Sequence, residues 1–146
     1  MSLWRRRGLQ ALQALLELAL APQQWRSVNE IAEAQALPAP MLEQLLLQLR
    51  RAGLVEARRG RTGGYRLAHP AAGIRVAQVL EAVDAQLDLS SDLDEEGAAH
   101  RVLQTMGRRL QQALERELQA LTLEELLFDL HSWQESLRND GGLMVG

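Results

Sequence analysis

Two short helices followed by two short strands are predicted within about forty consecutive residues of the first half of the chain. The capping box Ser27-Val28-Asn29-Glu30 starts one helix, because the serine hydroxyl can accept the Glu30 amide while the glutamate reaches back. The run Leu37-Pro38-Ala39-Pro40 ends this helix and starts the next, with its second proline at the first helical position. Gly53 is typical of the residue just past a helix end. Two short helices across a tight turn predict a helix-turn-helix.

The segment after Gly53 predicts a hairpin with a basic tip. Leu54-Val55-Glu56-Ala57 and Tyr65-Arg66-Leu67-Ala68 alternate between apolar and polar residues, as strands do. The seven residues 58–64 between them contain three arginines and three glycines, and glycine permits the positive φ of a tight turn. A hairpin directly after a helix-turn-helix forms a wing. The predicted fold class is therefore mostly α with a small β-wing, a winged helix-turn-helix domain plus a long helix.

The remaining sequence predicts helices on both sides of this module. A first helix spans about residues 3–21, a short helix buries Val76, Val79, Leu80 and Val83, and a long helix covers 98–120. A second capping box, Thr122-Leu123-Glu124-Glu125, begins a last helix. The predicted organisation is a winged helix-turn-helix domain at 1–83, an acidic loop at 84–97, dimerisation helices at 98–138 and a flexible, glycine-rich tail at 139–146.

The long helix carries an apolar stripe with no other element left to cover it. Its apolar residues recur at spacings of three and four for about three heptads, which is typical of a helix that packs against a second helix. We therefore predict a homodimer. The residues assigned to its interface are Val102, Leu103, Met106, Leu110, Ala113, Leu114 and Leu118.

The net charge of −3 conceals an uneven distribution of charge. Residues 1–70 hold ten arginines and five acidic residues, whereas residues 71–146 hold six arginines and fourteen acidic residues. This excess of positive charge in the first part of the chain suits a polyanionic partner for that part, and the alternative is a chance scatter of surface charge. Every strongly basic residue is arginine, which makes bidentate contacts with phosphate and guanine.

Several classes of protein are disfavoured by what the sequence lacks. It contains no cysteine, so it has no disulfide, no thiol nucleophile and no thiolate metal site. It has no apolar run long enough for a transmembrane helix and no secretory signal pattern, and we expect a cytoplasmic protein without membrane contact. No nucleophile–base pair, phosphate-binding loop or dinucleotide motif is present, so we do not expect an enzyme.

Double-stranded DNA is the polyanion that this arrangement favours. The second helix of the pair presents Gln44, Gln48 and Arg51 on one side, and glutamine can read adenine in the major groove. Glu43 would repel phosphate unless it accepts from cytosine N4. The predicted DNA-binding residues are Arg5, Arg7, Ser27, Ala39, Pro40, Met41, Glu43, Gln44, Gln48, Arg51, Arg59, Arg61 and Thr62. The alternative is a winged-helix adaptor that binds protein, because the fold alone does not determine function.

The remaining candidate side chains receive structural interpretations. His100 could bind a metal together with Asp92, Asp94, Glu95 and Glu96, but we favour a solvated acidic loop and predict no metal and no cofactor. Trp25 is expected to pack close to the Ser27 cap, and Trp133 to lie in the core or at the dimer interface.

Several segments resemble the Rrf-two (Rrf2) family of bacterial winged-helix transcriptional regulators, of IscR, NsrR and CymR type. They are 27–33, Leu37-Pro38, 42–44, 49–55, Arg59-Gly60, 63–68 and 79–83, and the resemblance continues more weakly to Leu126. It implies a homodimer on a pseudo-palindromic operator, usually acting as a repressor. It also implies a long helix that crosses to the partner subunit, a helix near 42–51 in the major groove and a wing with Arg59 and Arg61 in the minor groove.

The chain departs from the members of that family that bind an iron–sulfur cluster. Those members carry three cysteines between the acidic loop and the long helix, whereas residues 87–104 contain none here. The family spacing places Gln104, rather than His100, where a histidine ligand would fall. The cluster is therefore not carried over, and the resemblance is to cluster-free members whose signal is a partner protein or a small molecule.

Overall fold

The computed structural model describes residues 4–89 and 96–145, and its described part is mostly helical with one two-stranded antiparallel sheet. The predicted fold class is thereby confirmed. The elements in chain order are α1 (Arg6–Leu20), α2 (Val28–Gln35), α3 (Ala39–Arg51), β1 (Val55–Arg58), β2 (Gly64–Leu67), a 3-10 turn (Ala71–Gly73), α4 (Val76–Ala82), α5 (Ala98–Ala120) and α6 (Leu123–Val145).

The core is built around α1, which packs against α2, α3, α4, α6 and β2. Its centre consists of aliphatic side chains, and burial of each leucine or isoleucine contributes about 1.5–3 kcal/mol relative to exposure. The largest fully buried side chains are Leu15, Leu18, Ile31, Leu42, Leu45, Leu46, Leu49, Val55, Ile74, Val79, Leu80 and Leu123.

Both predicted ends of the helix-turn-helix are confirmed at atomic detail. The Ser27 hydroxyl accepts the Glu30 amide and the Glu30 carboxylate accepts the Ser27 amide, each at 3.1 Å. Gly53 has φ +78° just past α3, and its amide donates to the Arg50 carbonyl at 2.9 Å while that of Leu54 donates to the Leu49 carbonyl at 3.0 Å. This is a Schellman motif, which only a residue free to adopt a positive φ closes without strain.

Some boundaries differ from the predictions. Ala39 precedes Pro40 in α3, so the proline occupies the second helical position, where its missing N–H again costs no hydrogen bond. The helix α6 continues to Val145, whereas the sequence predicts a flexible tail from residue 139. Each residue added to an existing helix gains a hydrogen bond, and two adjacent glycines disfavour a helix without ending it as a proline would.

The segment after α4 is less solvent-exposed than a purely acidic loop would be. Ala85 and Leu87 are buried in the core, and Asp84 has φ +53°. The side-chain amide of Gln111 on α5 donates to the Leu87 carbonyl and accepts from the Leu89 amide, both at 2.8 Å. We call this pair of bonds the Gln111 clamp. The rest of the predicted loop, residues 90–95, lies outside the described residues.

Backbone hydrogen bonds join the winged module to the last two helices. The Val76 amide donates to the Leu121 carbonyl at 2.9 Å, and the Leu123 amide donates to the Ile74 carbonyl at 2.8 Å. The turn between α5 and α6 is therefore paired with the segment that precedes α4. The start of α6 lies in the core of the winged module, although the sequence assigned this helix to dimerisation. None of the helices in the described part is long and apolar enough to span a membrane.

Candidate nucleic-acid interface

The wing is a short hairpin that is also paired with the segment before α2. Strands β1 and β2 pair in register from Val55 with Leu67 to Arg58 with Gly64. The Arg26 amide donates to the Tyr65 carbonyl at 2.8 Å, and the Tyr65 amide donates to the Arg26 carbonyl at 2.7 Å. The hairpin is therefore joined by its backbone to the helix-turn-helix and does not project as an independent arm.

Two glycines allow the backbone of the wing to approach other backbone very closely. A Cβ atom on Gly63 would lie 2.0 Å from the Arg58 carbonyl oxygen, and one on Gly64 would lie 2.3 Å from that of Arg26. Gly64 also has φ +139°. No other residue type fits these two positions without displacement of the backbone. The sequence indicated turn glycines here, and the structure shows the atoms that require them.

Two guanidinium groups of the wing contact the ring of Trp25. The Arg66 guanidinium carbon is 4.1 Å from the Trp25 ring centroid and that of Arg58 is 4.7 Å away, so both are within cation–π range. Arg58 also donates to the Thr62 carbonyl at 2.6 Å, and Arg66 donates from Nε to Glu56 at 2.5 Å. The sequence predicted only that Trp25 packs near the Ser27 cap. These contacts join Trp25 to side chains of the wing that are far from it in sequence.

The wing arginines therefore divide into two groups. Arg58 and Arg66 are held against Trp25, whereas Arg59 and Arg61 are exposed at the hairpin tip. Within residues 4–89 and 96–145, Arg59 and Arg61 have no hydrogen-bond or ion-pair partner. Thr62 is exposed beside them, although its carbonyl is bonded to Arg58. The tip therefore presents two charged groups to solvent.

The exposed side of α3 carries the predicted base-reading residues. Leu42, Leu45, Leu46 and Leu49 are all buried, which confirms the predicted core face of this helix. Pro40, Glu43, Gln44 and Arg51 are exposed, whereas Ala39 and Met41 are partly buried against the core. The last two residues thus have a packing role, which reduces the surface that they can offer to a ligand.

The beginning of α1 lies against α3. Arg7 Nη2 donates to Gln48 Oε1 at 2.6 Å, a contact across forty-one positions of sequence. Arg5, the residue that precedes α1, is exposed near the same end of the helix. The sequence predicted both Arg7 and Gln48 as DNA contacts but not their contact with each other. This hydrogen bond places the basic start of the chain beside the exposed face of α3.

The Ser27 side chain already has a role as the cap of α2. The pKa of the Glu30 carboxyl is lowered most by the hydrogen bond from the Ser27 backbone amide and next by the hydrogen bond with the Ser27 hydroxyl. The nearby Arg26 guanidinium lowers this pKa further. Arg26 Nε lies 3.5 Å from Glu30. The Ser27 hydroxyl is half-buried. Its assignment as a DNA contact remains a prediction.

A buried carboxylate that sequence reasoning missed connects α1 with the approach to α2. Glu17 is 8% exposed and accepts from Arg26 Nη2 at 3.1 Å and from Gln35 Nε2 at 2.9 Å. A buried charge is retained only where such partners surround it. In the sequence, Glu17 was only a polar interruption of an apolar helix, and nothing local indicated its two partners.

The apolar stripe of α5 is exposed over its first half. Val102 is 69% exposed and Leu110 is 51% exposed, and Leu103 and Met106 are also exposed. Leu118 was assigned to the interface, but it is only 8% exposed because it packs into the core of its own protomer. Leu114 is partly buried against the same core. The stripe therefore has an outer half without cover and an inner half that the protomer itself covers.

Helix α6 exposes three further large apolar side chains along its length, Phe128, Trp133 and Leu137. Trp133 is 67% exposed, so it does not belong to the core of the protomer. The proposed metal ligands Asp92, Asp94 and Glu95 lie outside the described residues. Within the described ranges, no three His, Asp or Glu side chains are grouped to hold a metal ion.

Comparison with known proteins identifies relatives of the same architecture. Residues 5–129 match a family model described as "Rrf2: Iron-dependent Transcriptional regulator". The slr0846 protein of Synechocystis, whose name describes an HTH-type transcriptional regulator, is 41% identical over 127 residues, which are 85% of this chain and 86% of that protein. The HTH-type transcriptional regulator IscR of Vibrio parahaemolyticus is 36% identical over 143 residues, covering 95% and 85% of the two chains.

Solved structures extend the same likeness to three dimensions. T. potens IscR superposes with a TM-score of 0.72 at 31% identity and covers 89% of both chains. CymR, the global cysteine regulator of B. subtilis, superposes with a TM-score of 0.68 at 29% identity, covering 84% of this chain and 94% of its own. The winged helix and the helices that follow it are thus shared along most of the chain.

Proposed function

The chain belongs to the Rrf2 family of DNA-binding transcriptional regulators, which are not enzymes, and from this premise we propose that it is a homodimeric repressor of a pseudo-palindromic operator. The observation that carries the proposal is the division of the wing arginines. Arg58 and Arg66 stack on Trp25 and orient the hairpin, which leaves Arg59 and Arg61 at its tip. Two cations presented on a fixed hairpin suit the narrow, electronegative minor groove.

The exposed side of α3 would enter the adjacent major groove. Gln44 reads a base edge, and Arg51 contacts either guanine or phosphate at the other end of the helix. Glu43 accepts from cytosine N4, which makes an acidic residue compatible with this surface. Arg7 holds Gln48 and, together with Arg5, neutralises backbone phosphates beside α3. The remaining assigned residues, Ser27, Ala39, Pro40, Met41 and Thr62, lie close to the phosphates.

A second copy of the chain would cover the outer half of the α5 stripe. Val102, Leu103, Met106 and Leu110 are large, apolar and exposed in one protomer. Two such stripes packed together remove this surface from water, and a twofold axis repeats the winged helix for the second half of an operator. Repression follows if the operator overlaps a site that polymerase needs.

The family model is described as iron-dependent, but this chain lacks the side chains that usually bind an iron–sulfur cluster. The sequence contains no cysteine, and thiolates are the usual ligands of iron–sulfur clusters. Residues 87–89, close to the predicted ligand region, are held by the Gln111 clamp. We therefore propose that the signal is a partner protein or a small molecule.

The test begins with selection of sites from a random duplex pool by the purified protein. We expect enrichment of an inverted repeat whose half-sites are about one helical turn apart, with a steep salt dependence of the affinity. The double variant Arg59→Glu/Arg61→Glu should then bind the selected site at least tenfold more weakly, with a salt slope smaller by about 2.

The matched control is Arg101→Glu/Arg108→Glu, which makes the same change of charge on the exposed surface of α5, opposite its apolar stripe. This control should retain most of the affinity, and both variants should remain dimeric. Equal losses in the two variants would show only a general charge effect and contradict the wing assignment. If no sequence is enriched either by the purified protein or in cell extract, which would supply a missing signal, the adaptor alternative replaces the operator proposal.

A further inference from the structure

A cavity of about 430 Å³ lies behind the wing, between the end of α1, the two strands, the 3-10 turn and α6. We call it the wing–α6 cavity. Most of its wall is apolar, including Ala19, Leu67 and Leu127, and its charged or titratable residues are Glu56, Arg66 and His69. A concave apolar site of this size with a few polar groups is typical of small-molecule binding.

We propose that the wing–α6 cavity binds a small amphiphilic carboxylate, whose acid group pairs with Arg66 while its apolar body packs against Leu67 and Leu127. The ligand would replace Glu56 as the partner of Arg66. The effect on DNA rests on the proposed function, whereas the binding itself does not.

The Glu56–Arg66 pair is suited to such an exchange. Arg66 contacts Glu56 through Nε alone, and among the described residues no other acceptor is bonded to its guanidinium. The two side chains are 32% exposed for Arg66 and 44% for Glu56, and ion pairs at that exposure contribute little net stability. A carboxylate ligand can offer the bidentate geometry that arginine prefers, together with the burial of its apolar body.

Arg66 connects this cavity to the tip of the wing through direct contacts. Its guanidinium stacks on Trp25, whose ring also contacts Arg58, and Arg58 donates to the Thr62 carbonyl at the tip. When Arg66 turns from Glu56 toward a ligand, its position over the indole changes. Arg66 would thus have two discrete arrangements, one with Glu56 and one with the ligand, which is what coupling between two sites requires. A bound carboxylate would therefore alter how Arg59 and Arg61 are presented.

The same stack provides a direct optical signal for binding. In a Trp4→Phe/Trp133→Phe background, Trp25 is the single tryptophan, and the emission of its ring reports the position of Arg66. Hexanoate and phenylacetate are the probes, and hexanamide and phenylacetamide are the neutral controls of matched shape. We expect both acids to change the Trp25 emission and to bind at least tenfold more tightly than the amides. Calorimetry provides an independent measure of affinity.

Three variants separate this site from general hydrophobic binding. Glu56→Gln removes the competing carboxylate and should tighten hexanoate binding severalfold, whereas Arg66→Gln should abolish the preference for the acid over the amide. Ala71→Phe fills the cavity and should block both probes. Circular dichroism establishes that each variant is folded. Binding of acid and amide with equal affinity, no tightening in Glu56→Gln, or no binding of either acid at millimolar concentration overturns the proposal.

The effect on DNA is measured separately with the site selected from random duplexes. We expect saturating hexanoate to change the operator affinity of the parent protein at least threefold and that of Ala71→Phe not at all. If hexanoate binds but no duplex is selected, the operator proposal fails and the cavity stands. If operator binding is intact but neither acid binds, the cavity proposal alone fails. If hexanoate binds without a change in operator affinity, the coupling through Arg66 is wrong.

Discussion

Gln44 and Gln48 lie one turn apart on α3 but have different surroundings. Gln48 is partly buried and accepts a hydrogen bond from Arg7, whereas Gln44 is exposed. An exposed amide beside a groove can donate to and accept from the same adenine. Gln44 is therefore the better candidate for reading sequence, and Gln48 for holding the start of α1 in place.

Replacement of Gln44 by alanine should relax specificity without general loss of affinity. Loss of one good base contact lowers discrimination between matched and mismatched operators by about 1–3 kcal/mol at that position. Competition binding with single-base variants of the selected operator measures this difference. The control is Gln86→Ala, because Gln86 is an exposed glutamine of the segment between α4 and α5. Gln35 is unsuitable as a control because its side chain donates to the buried Glu17. A uniform loss across all operator variants would identify Gln44 as a backbone contact.

Gly63 should not tolerate even alanine. The added Cβ would meet the Arg58 carbonyl oxygen at 2.0 Å, so the hairpin backbone must move. We expect Gly63→Ala to lower the free energy of unfolding by about 1–3 kcal/mol and to weaken operator binding through the displaced tip. Gly73→Ala is the matched control, because nothing lies within 4 Å of the position that its added methyl group would occupy. Equal denaturation midpoints for the two variants would show that the wing accommodates the methyl group.

The sequence predicts the contacts of a residue correctly where one short stretch of the chain determines their geometry. The Ser27–Glu30 cap and the Gly53 helix end both depend on neighbours within a few positions, and both predictions are confirmed. The stack on Trp25 and the buried Glu17 depend on partners brought together only by the folded chain. No periodicity in the sequence identifies those partners.

The start of α2 should give the stability of the protein a component that depends on pH. The hydrogen bonds from Ser27 and the charge of Arg26 lower the pKa of Glu30 in the folded state below its ordinary value of 4.5. The ionised carboxylate therefore stabilises the fold above that value, and the contribution is lost as the pH falls through the lowered pKa.

The variant Glu30→Gln removes this titration while it retains a side chain that can still accept the Ser27 amide. The wild-type protein should have the higher melting temperature at neutral pH, and the difference should shrink steadily as the pH falls below 4.5. Thermal melts of both proteins across this range measure it. The exposed Glu33→Gln on the same helix is the control. A difference that does not change with pH would assign the cap energy to geometry rather than to charge.

Among the helices and strands, periodicity predicted the presence and order of the elements, and the start and end of α5 match the prediction. The sequence underestimates the length of α6 because the glycines near its end favour a stop. Helix propensity alone does not decide where a helix ends at such positions, because a helix that is already formed lowers the free-energy cost of adding the next residue. The inner half of the α5 stripe was assigned to a partner, although α4 of the same chain supplies part of its cover.

At the level of the assembled protein, the outer half of α5 should hold two copies together. Leu110 is 51% exposed in one protomer, and an aspartate there would place an unpaired carboxylate in an apolar contact, at a cost of several kcal/mol. We expect Leu110→Asp to be monomeric at micromolar concentration by light scattering. Arg108→Asp, on the opposite side of the same helix, should remain dimeric. A dimer in Leu110→Asp would place the interface elsewhere, with the exposed apolar side chains of α6 as the next candidate surface.

The Gln111 clamp also determines which changes in its surroundings can release residues 87 and 89 from α5. A side-chain amide ties residues 87 and 89 to α5 by two hydrogen bonds of 2.8 Å. An amide neither accepts nor releases an electron under cellular conditions, and it does not ionise in that range of pH. The connection at this point therefore contains no group that an oxidant can change. An oxidative burst would leave it in place, whereas displacement by something bound nearby would release it.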